Sequence, residues 1–107
     1  MDIDLDQLRA LAAAVEHGSL DAAAGVLHVT PSAVSQRLRA LEATTGQVVL
    51  VRSRPVRPTP AGEALVRAAR QVDLLLADTA RELSPDGARP VLPVAVNADS
   101  LATCDGR

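Results

Sequence analysis

Residues 30–42 contain the polar side chains of this chain whose spacing best suits recognition of another molecule. Thr30 followed by Pro31 predicts a helix start, because a threonine hydroxyl caps free backbone N–H groups and proline fits the first helical position. Three apolar residues then recur at steps of four and three and make one stripe: Val34, Leu38 and Leu41. At roughly 100° per residue, the side chains that point away from this stripe are Ser32, Gln36 and Arg39, with Ser35 on its flank.

The chemistry of this outward face is hydrogen bonding, and it contains no carboxylate before Glu42. Hydroxyl, amide and guanidinium groups on a helix can read base edges in the major groove of DNA. The N-terminus of the helix also favours a phosphate, because its free N–H groups carry partial positive charge. An ordinary solvated helix face has a similar composition. The helix in isolation therefore leaves both interpretations open, and the surrounding sequence has to decide between them.

The remaining residue types do not indicate a catalytic or metal-binding arrangement. Ser32 and Ser35 have no general base in reach, the carboxylates are scattered, and no glycine-rich loop could cradle a phosphate. The single cysteine, Cys104, cannot form an internal disulfide, and with two distant histidines it makes no credible metal site. We therefore expect a protein that is not an enzyme, with no catalytic residue, no bound metal and no cofactor.

The charge of the chain is distributed unevenly along its length. A chain of 107 residues makes one small domain with a short extension, and its net charge is −2. Residues 30–70 carry seven arginines against two carboxylates, whereas residues 1–29 and 71–107 are both net acidic. The middle segment therefore has the electrostatic footprint of a surface that binds a polyanion. Aromatic residues are absent, which excludes base stacking on aromatic rings and leaves a core of Leu, Val and Ala.

The N-terminal sequence and the apolar runs bear on where the protein is found. Residues 1–6 are acidic and lack the basic and apolar regions of a signal peptide. No apolar run approaches the ~20 residues that a transmembrane helix needs. We expect a cytoplasmic protein with no membrane partner.

Two shorter helices are predicted before residue 30. The first begins near Asp4 and ends at Gly18, with an apolar stripe of Leu5, Leu8, Ala12 and Val15. Ser19 caps the second, whose buried side consists of Leu20, Ala23, Ala24 and Leu27. A short helix, a tight turn and a second helix with an outward polar face form the helix-turn-helix arrangement.

The residues after Gly46 change from helical to strand periodicity. Residues 48–51 are apolar and mostly β-branched, residues 52–55 are typical of a turn, and residues 56–58 can form a returning strand. This predicted β-hairpin, called the wing below, carries Arg52 and Arg54 at its tip. A cationic hairpin beside the polar helix is well placed for phosphates or for a minor groove.

Thr59 and Pro60 repeat the cap-and-proline pattern and open a long helix that extends to about Leu83. Apolar and small residues along it alternate at steps of four and three, as in a coiled-coil seam: Leu65, Ala69, Val72, Leu76, Thr79 and Leu83. Such a seam either folds back on its own domain or pairs with another helix, and we favour self-association. Residues 84–90 then predict a hinge, and residues 91–96 predict a buried strand at the start of an α/β unit.

These motifs resemble the N-terminal part of LysR-type transcriptional regulators. The matching segments lie within residues 3–83 and are Gly18-Ser19-Leu20, Ala22-Ala23, residues 29–38, Leu41-Glu42, Gly46 and Thr59-Pro60-Ala61-Gly62. The match is closest to the ArgP/LysG branch, through residues 47–52 and 94–103. One departure is Val49-Leu50, where the wing strand of the family has Leu-Phe.

The resemblance implies a mainly α fold with three parts. Residues 1–58 would form a winged helix-turn-helix with a small β-hairpin wing, and residues 59–83 a linker helix that dimerises antiparallel with its partner. Residues 84–107 would be a hinge and the first part of an effector domain of two α/β lobes. Because the sequence does not continue through that domain, we expect no response to an amino-acid effector.

The resemblance also implies a function, namely sequence-specific binding of double-stranded DNA by a homodimer and control of lysine or arginine export or metabolism. Base contacts would fall on Pro31, Ser32, Ser35 and Gln36, and Arg54 would enter the minor groove. We add four further candidate DNA-binding residues: Thr30, Arg37, Arg39 and Arg52. An alternative is an interaction protein without an effector domain, which pairs with full-length relatives through the linker helix.

Overall fold

The computed structural model describes residues 2–84. Three helices come first: α1 (Leu5–His17), α2 (Leu20–Leu27) and α3 (Pro31–Thr45). Two short antiparallel strands follow, β1 (Leu50–Val51) and β2 (Arg57–Pro58), and then a long helix, α4 (Pro60–Leu83). This order confirms the predicted fold class, which is mainly α with a small hairpin and a long helix. The predicted strand at residues 91–96 and the hinge beyond residue 84 lie outside the described residues.

The helix boundaries follow the capping residues that the sequence indicates. Three hydroxyl residues cap the helices that follow them: Ser19 before α2, Thr30 before α3 and Thr59 before α4. Each hydroxyl oxygen accepts a hydrogen bond of 3.0 or 3.1 Å from the N–H of the third residue of its helix. Gly18 and Gly46 end α1 and α3 with φ of 84° and 70°, the left-handed backbone that glycine adopts without strain.

The core lies between α1, α2 and α3 and extends to the start of the wing. Its largest fully buried side chains are Leu11, Val34, Leu38, Leu41 and Val49. Since the chain has no aromatic ring, small side chains line the contacts between helices, and the fully buried ones include Ala10, Ala14 and Ala23. Alanine contacts bring the helices close together, so the core is narrow and its leucines and valines suffice to fill it.

The buried face of α1 differs from the predicted stripe. Leu8 is buried as expected, but three other members of the stripe are only half-buried: Leu5, Ala12 and Val15. The buried face is centred on Ala14, with Ala10 and Leu11 on either side, roughly 130° around the helix from the predicted stripe. Because residues 10–15 are all apolar, α1 is apolar over most of its circumference, and periodicity alone could not select the face that meets α2 and α3.

The paired part of the wing is shorter than predicted. Strand pairing is limited to Leu50–Val51 with Arg57–Pro58, instead of residues 48–51 with residues 56–58. Val48 and Val49 precede the ladder, and their carbonyl oxygens accept hydrogen bonds from the residue that opens α4. The bond from the Thr59 N–H to the Val49 carbonyl is in register with the ladder. The pairing ends there because the Val49 N–H donates to Glu42 and the Thr59 carbonyl accepts from the Glu63 N–H of α4.

The start of α4 lies against the segment before β1. Thr59 donates from its N–H to the Val49 carbonyl oxygen at 3.1 Å and from its hydroxyl to the Val48 carbonyl oxygen at 2.5 Å. Gly62 lies so close that a Cβ atom there would overlap the Val49 carbonyl oxygen and come within 3.2 Å of the Pro58 Cβ. Close approach of two backbones therefore requires glycine at position 62.

α4 is the longest element, with 24 residues, and carries charged side chains along its length. These are Glu63, Arg67, Arg70, Asp73, Asp78, Arg81 and Glu82. Within residues 2–84, no helix combines the length and the apolar character that would be needed to cross a bilayer.

Two glycine substitutions test this packing, and we expect them to change the free energy of unfolding in opposite directions. Gly62→Ala should lower the free energy of unfolding by about 1–3 kcal/mol, because the added methyl group overlaps the Val49 backbone and α4 must shift. Gly25→Ala in α2 should raise it by about 0.5–1 kcal/mol, because nothing lies within 4 Å of the new Cβ and alanine favours a helix. Urea unfolding at one protein concentration measures both. Equal stability of the two variants would show that α4 does not depend on its contact with Val49.

Candidate DNA interface

The polar face of α3 points to solvent because the opposite face is held in the core. Val34, Leu38 and Leu41 have no exposed surface, which fixes the rotation of the helix about its axis. Four of the predicted DNA-binding residues of α3 are exposed: Pro31, Ser32, Gln36 and Arg39. Ser35 is half-buried, in keeping with its position on the flank of the buried stripe.

The two remaining candidate residues of this region are placed differently. Thr30 is exposed, and its hydroxyl oxygen accepts from the Ala33 N–H at 3.0 Å, which leaves the hydroxyl proton for another acceptor. Arg37 is half-buried, since one residue beyond Gln36 turns its Cα–Cβ direction by roughly 100° toward the buried stripe. Its guanidinium can reach the edge of the polar face only through the length of the side chain.

The tip of the wing carries its arginines on the surface. Arg52, Arg54 and Arg57 are all exposed, and Arg57, in β2, adds to the two arginines predicted at the tip. Ser53 stabilises the turn, because its N–H donates to the Val51 carbonyl at 2.9 Å and its hydroxyl donates to the Pro55 carbonyl at 2.7 Å. The cationic tip is therefore a defined turn and not a loose loop.

The returning arm of the wing is tied to the turn between α1 and α2. The Val56 N–H donates to the Gly18 carbonyl oxygen at 3.0 Å. An open cavity of about 390 Å³ lies beside this bond, lined by Ser53, Arg54 and Val56 from the wing and by residues 18–21. Arg54 is thus held near the start of α2, and the helix-turn-helix and the wing tip form adjoining parts of one surface.

The electrostatics of this surface favour a polyanion. Within residues 2–84, none of the five arginines of α3 and the wing is paired with a carboxylate: Arg37, Arg39, Arg52, Arg54 and Arg57. By contrast, Arg81 near the end of α4 does form an ion pair with Asp78. Guanidinium groups without a carboxylate partner can exchange their counterions for phosphates.

Glu42 is the one acidic residue of α3. It is half-buried, and its carboxylate oxygen Oε2 accepts a hydrogen bond of 2.9 Å from the Val49 N–H. The two residues lie on opposite sides of Gly46 and seven positions apart, so no local spacing indicates that they meet. The carboxylate is thus directed to the base of the wing.

Two further arginines of the basic segment lie elsewhere. Arg67 and Arg70 line a separate cavity of about 300 Å³, together with Glu63 and the apolar residues Val15, Val66 and Pro58. The cavity lies between the end of α1 and the first turns of α4. The structure therefore does not bring all seven arginines of residues 30–70 to one site.

The predicted dimerisation seam on α4 changes in exposure along the helix. Its first two members, Leu65 and Ala69, are covered by the chain itself, since Leu65 packs against the core and Ala69 is 1% exposed. The later members are half-buried or exposed: Val72, Leu76, Thr79 and Leu83. The exposed fraction reaches 46% at Leu76 and 77% at Leu83. Folding back on the domain thus accounts for the start of the seam but leaves its end uncovered within residues 2–84.

Sequence comparison finds relatives among bacterial regulators. The HTH-type transcriptional regulator LysG of Mycobacterium tuberculosis is 52% identical over 103 residues, which are 94% of this chain and 34% of the relative. The lysine export transcriptional regulatory protein LysG of Corynebacterium glutamicum is 46% identical over 97 residues, which are 91% of this chain and 33% of the relative. This chain thus spans about a third of the length of these relatives.

Two solved structures show the same fold. Full-length LysG of Corynebacterium glutamicum has a TM-score of 0.77 at 44% identity, over 94% of this chain and 35% of that chain. The CbnR_DBD–DNA complex has a TM-score of 0.66 at 38% identity, over 80% of this chain and 99% of that chain.

The family comparison covers the elements that build the candidate interface. Residues 5–63 match the model of the family described as bacterial regulatory helix-turn-helix protein, lysR family. They extend from the first residue of α1 through the wing to the first turn of α4. The chain therefore belongs to the LysR family of bacterial regulatory helix-turn-helix proteins.

Proposed function

We propose that this chain binds specific sequences of double-stranded DNA and thereby regulates transcription. The observation that carries the proposal is the exposed polar face of α3 together with the arginines of the wing, which are unpaired within residues 2–84. An α-helix fits the major groove, where hydroxyl, amide and guanidinium groups find base edges. The likeness to CbnR_DBD, which was solved with DNA, supports the same mode of binding.

The candidate side chains divide into two groups by their chemistry. Residues near the start of α3 are short or carry an amide, so they can contact bases: Pro31, Ser32, Ser35 and Gln36. The hydroxyl of the capping residue and three guanidinium groups suit phosphates: Thr30, Arg37, Arg39 and Arg52. Arg54 at the wing tip suits a minor groove, whose negative potential attracts guanidinium groups. In this proposal α3 supplies specificity, and the arginines supply most of the affinity.

We propose further that the regulated gene serves the export or metabolism of lysine or arginine. The support is the likeness to the lysine export regulatory protein of Corynebacterium glutamicum, at 46% identity. That likeness covers 91% of this chain, including the α3 face. A regulator of bacterial transcription acts where the chromosome lies, so the proposal includes a cytoplasmic location.

The proposed DNA-binding unit is a homodimer that forms through α4. The apolar side chains of Leu76 and Leu83 are exposed, and a second helix would cover them. The charges of α4 are also asymmetric, with Arg67 and Arg70 in its first half and a net negative charge from Asp73 onward. Antiparallel pairing of two such helices places opposite charges side by side, whereas parallel pairing places like charges together.

The division of roles between Gln36 and Arg54 can be tested once a preferred duplex has been selected from a random pool. Gln36→Ala should lose ~1–3 kcal/mol of binding free energy on the preferred duplex and little on random duplex, because a lost base contact depends on sequence. Arg54→Ala should weaken binding to both and reduce the salt slope by about 1, because a cationic contact has been removed. Titrations at several salt concentrations measure both effects.

Gln71→Ala is the matched control for this test, because Gln71 is an exposed glutamine on α4 outside the α3 face. It should bind both duplexes as the parent does. Equal losses on the preferred and random duplexes for Gln36→Ala would contradict its assignment to base recognition. Failure of the unmodified chain to prefer any duplex would contradict the proposed function.

The dimer can be tested with an aspartate in the exposed part of the seam. Leu76→Asp should shift the chain to monomer in sedimentation experiments, because pairing would bury an unpaired charge. Leu74→Asp is the matched control, since Leu74 is also exposed, at 68%, but lies on the opposite side of α4 from the seam. Circular dichroism should show that both variants keep their helices.

Two outcomes would overturn the seam as proposed. An unchanged dimer in Leu76→Asp, with loss of the dimer in Leu74→Asp, would place the contact on the other face of α4. A chain that stays monomeric by itself but binds DNA when mixed with a full-length relative would favour the alternative function, in which the linker helix pairs with such relatives.

A further inference from the structure

The backbone of Val48 and Val49 joins three parts of the molecule. The Val49 N–H donates to the Glu42 carboxylate on α3 at 2.9 Å. On the other side, Thr59 at the start of α4 donates to both carbonyl oxygens, at 3.1 Å to Val49 and at 2.5 Å to Val48. The end of α3, the base of the wing and the start of α4 are thus linked through one short segment of backbone.

The bond from Glu42 is well suited to set the direction in which the wing leaves α3. The Val49 side chain is fully buried, so it fixes the depth of the segment but not its rotation. A hydrogen bond to a charged carboxylate is directional and stronger than a neutral one. Leu50 follows at once and begins the ladder whose far end carries the wing tip. A small rotation of the backbone at Val49 would therefore displace Arg54 by a larger distance.

A carboxylate beside a surface that binds phosphates weakens the binding of DNA, so its presence at this position calls for another role. Glu42 is half-buried on a helix whose exposed face is polar and cationic, and its charge opposes the approach of DNA. Its bond to the Val49 N–H gives a reason for an acceptor at this position. An uncharged acceptor of the same length could in principle make the same bond, which allows the charge and the bond to be separated by experiment.

We propose that Glu42 is a positioning residue of the DNA interface, whose carboxylate holds the wing in register with α3 so that Arg54 and the α3 face meet the same duplex. This inference rests on the proposed DNA-binding function. It differs from a purely structural role because it predicts an effect that travels through the wing. Loss of the bond should reduce the preference for the selected duplex and change the stability of the helices little.

The experiment compares Glu42→Gln with Glu42→Ala in the full chain. Both substitutions remove the charge. On random duplex Arg54 can contact a phosphate whether or not the wing is in register with α3, so both should raise affinity for random duplex to the same extent. Only Gln keeps an oxygen that can accept from the Val49 N–H. The ratio of affinities for preferred and random duplex should therefore fall about fivefold in Glu42→Ala relative to Glu42→Gln. Amide exchange at Val49 should be faster in Glu42→Ala than in Glu42→Gln.

A double-mutant cycle with Arg54→Ala shows whether the effect passes through the wing. In the Arg54→Ala background, the fivefold difference between Gln and Ala at position 42 should shrink to less than about twofold, because the group being positioned is gone. Glu42→Met is a second variant without an acceptor, but with nearly the original length, and should behave as Glu42→Ala does. It is used if the alanine variant does not fold.

The possible results are distinct. If the parent chain shows no preferred duplex, the proposed function fails and the role of Glu42 fails with it. A second result is that the parent shows a preference while the variants with Gln, Ala and Met at position 42 share the same ratio of affinities for preferred and random duplex. In that case DNA binding stands and the positioning role is wrong. An undiminished difference between Gln and Ala in the Arg54→Ala background would likewise overturn it, because the effect would not pass through the wing.

Discussion

Burial of one face of α3 fixes the direction in which the polar side chains of this helix point. Val34, Leu38 and Leu41 are fully buried against the other helices, and each such side chain contributes roughly 1.5–3 kcal/mol relative to exposure. A helix anchored at three points along one stripe cannot rotate about its axis. Its polar side chains therefore stay in solvent without any specific interaction of their own, and they remain available to a partner.

The wing is positioned by the helices around it and not by its own sheet. A ladder of two residues on each strand is too short to be stable by itself. Its outgoing arm is held by Glu42 and Thr59, and its returning arm by the bond from the Val56 N–H to the Gly18 carbonyl. Close approach at Gly62 then places the start of α4 against the same backbone. The orientation of the cationic tip thus depends on groups from three places: the end of α1, α3 and the start of α4.

A net charge of −2 is compatible with a surface for a polyanion because the arginines are concentrated in residues 30–70 of the sequence. Exposed charges are screened beyond about 10 Å at ordinary ionic strength, so a duplex senses the local field and not the sum. The arginines of α3 and the wing are unpaired within residues 2–84, and the carboxylate of Glu42 is directed to a backbone N–H. The local field therefore remains cationic even though the chain is acidic.

The helix boundaries and the exposed face of α3 follow from local sequence, because each of these depends on residues within about four positions of one another. Ser19, Thr30 and Thr59 cap their helices as predicted, and the stripe of α3 is buried as its spacing indicates. Packing of the folded chain instead sets which face of α1 is buried, how far the wing pairs, and which contacts Glu42 and Gly62 make. Those features depend on partners that are distant in the chain. The residues next to Glu42 and Gly62 in the sequence do not indicate that the backbone of Val49 lies against either of them.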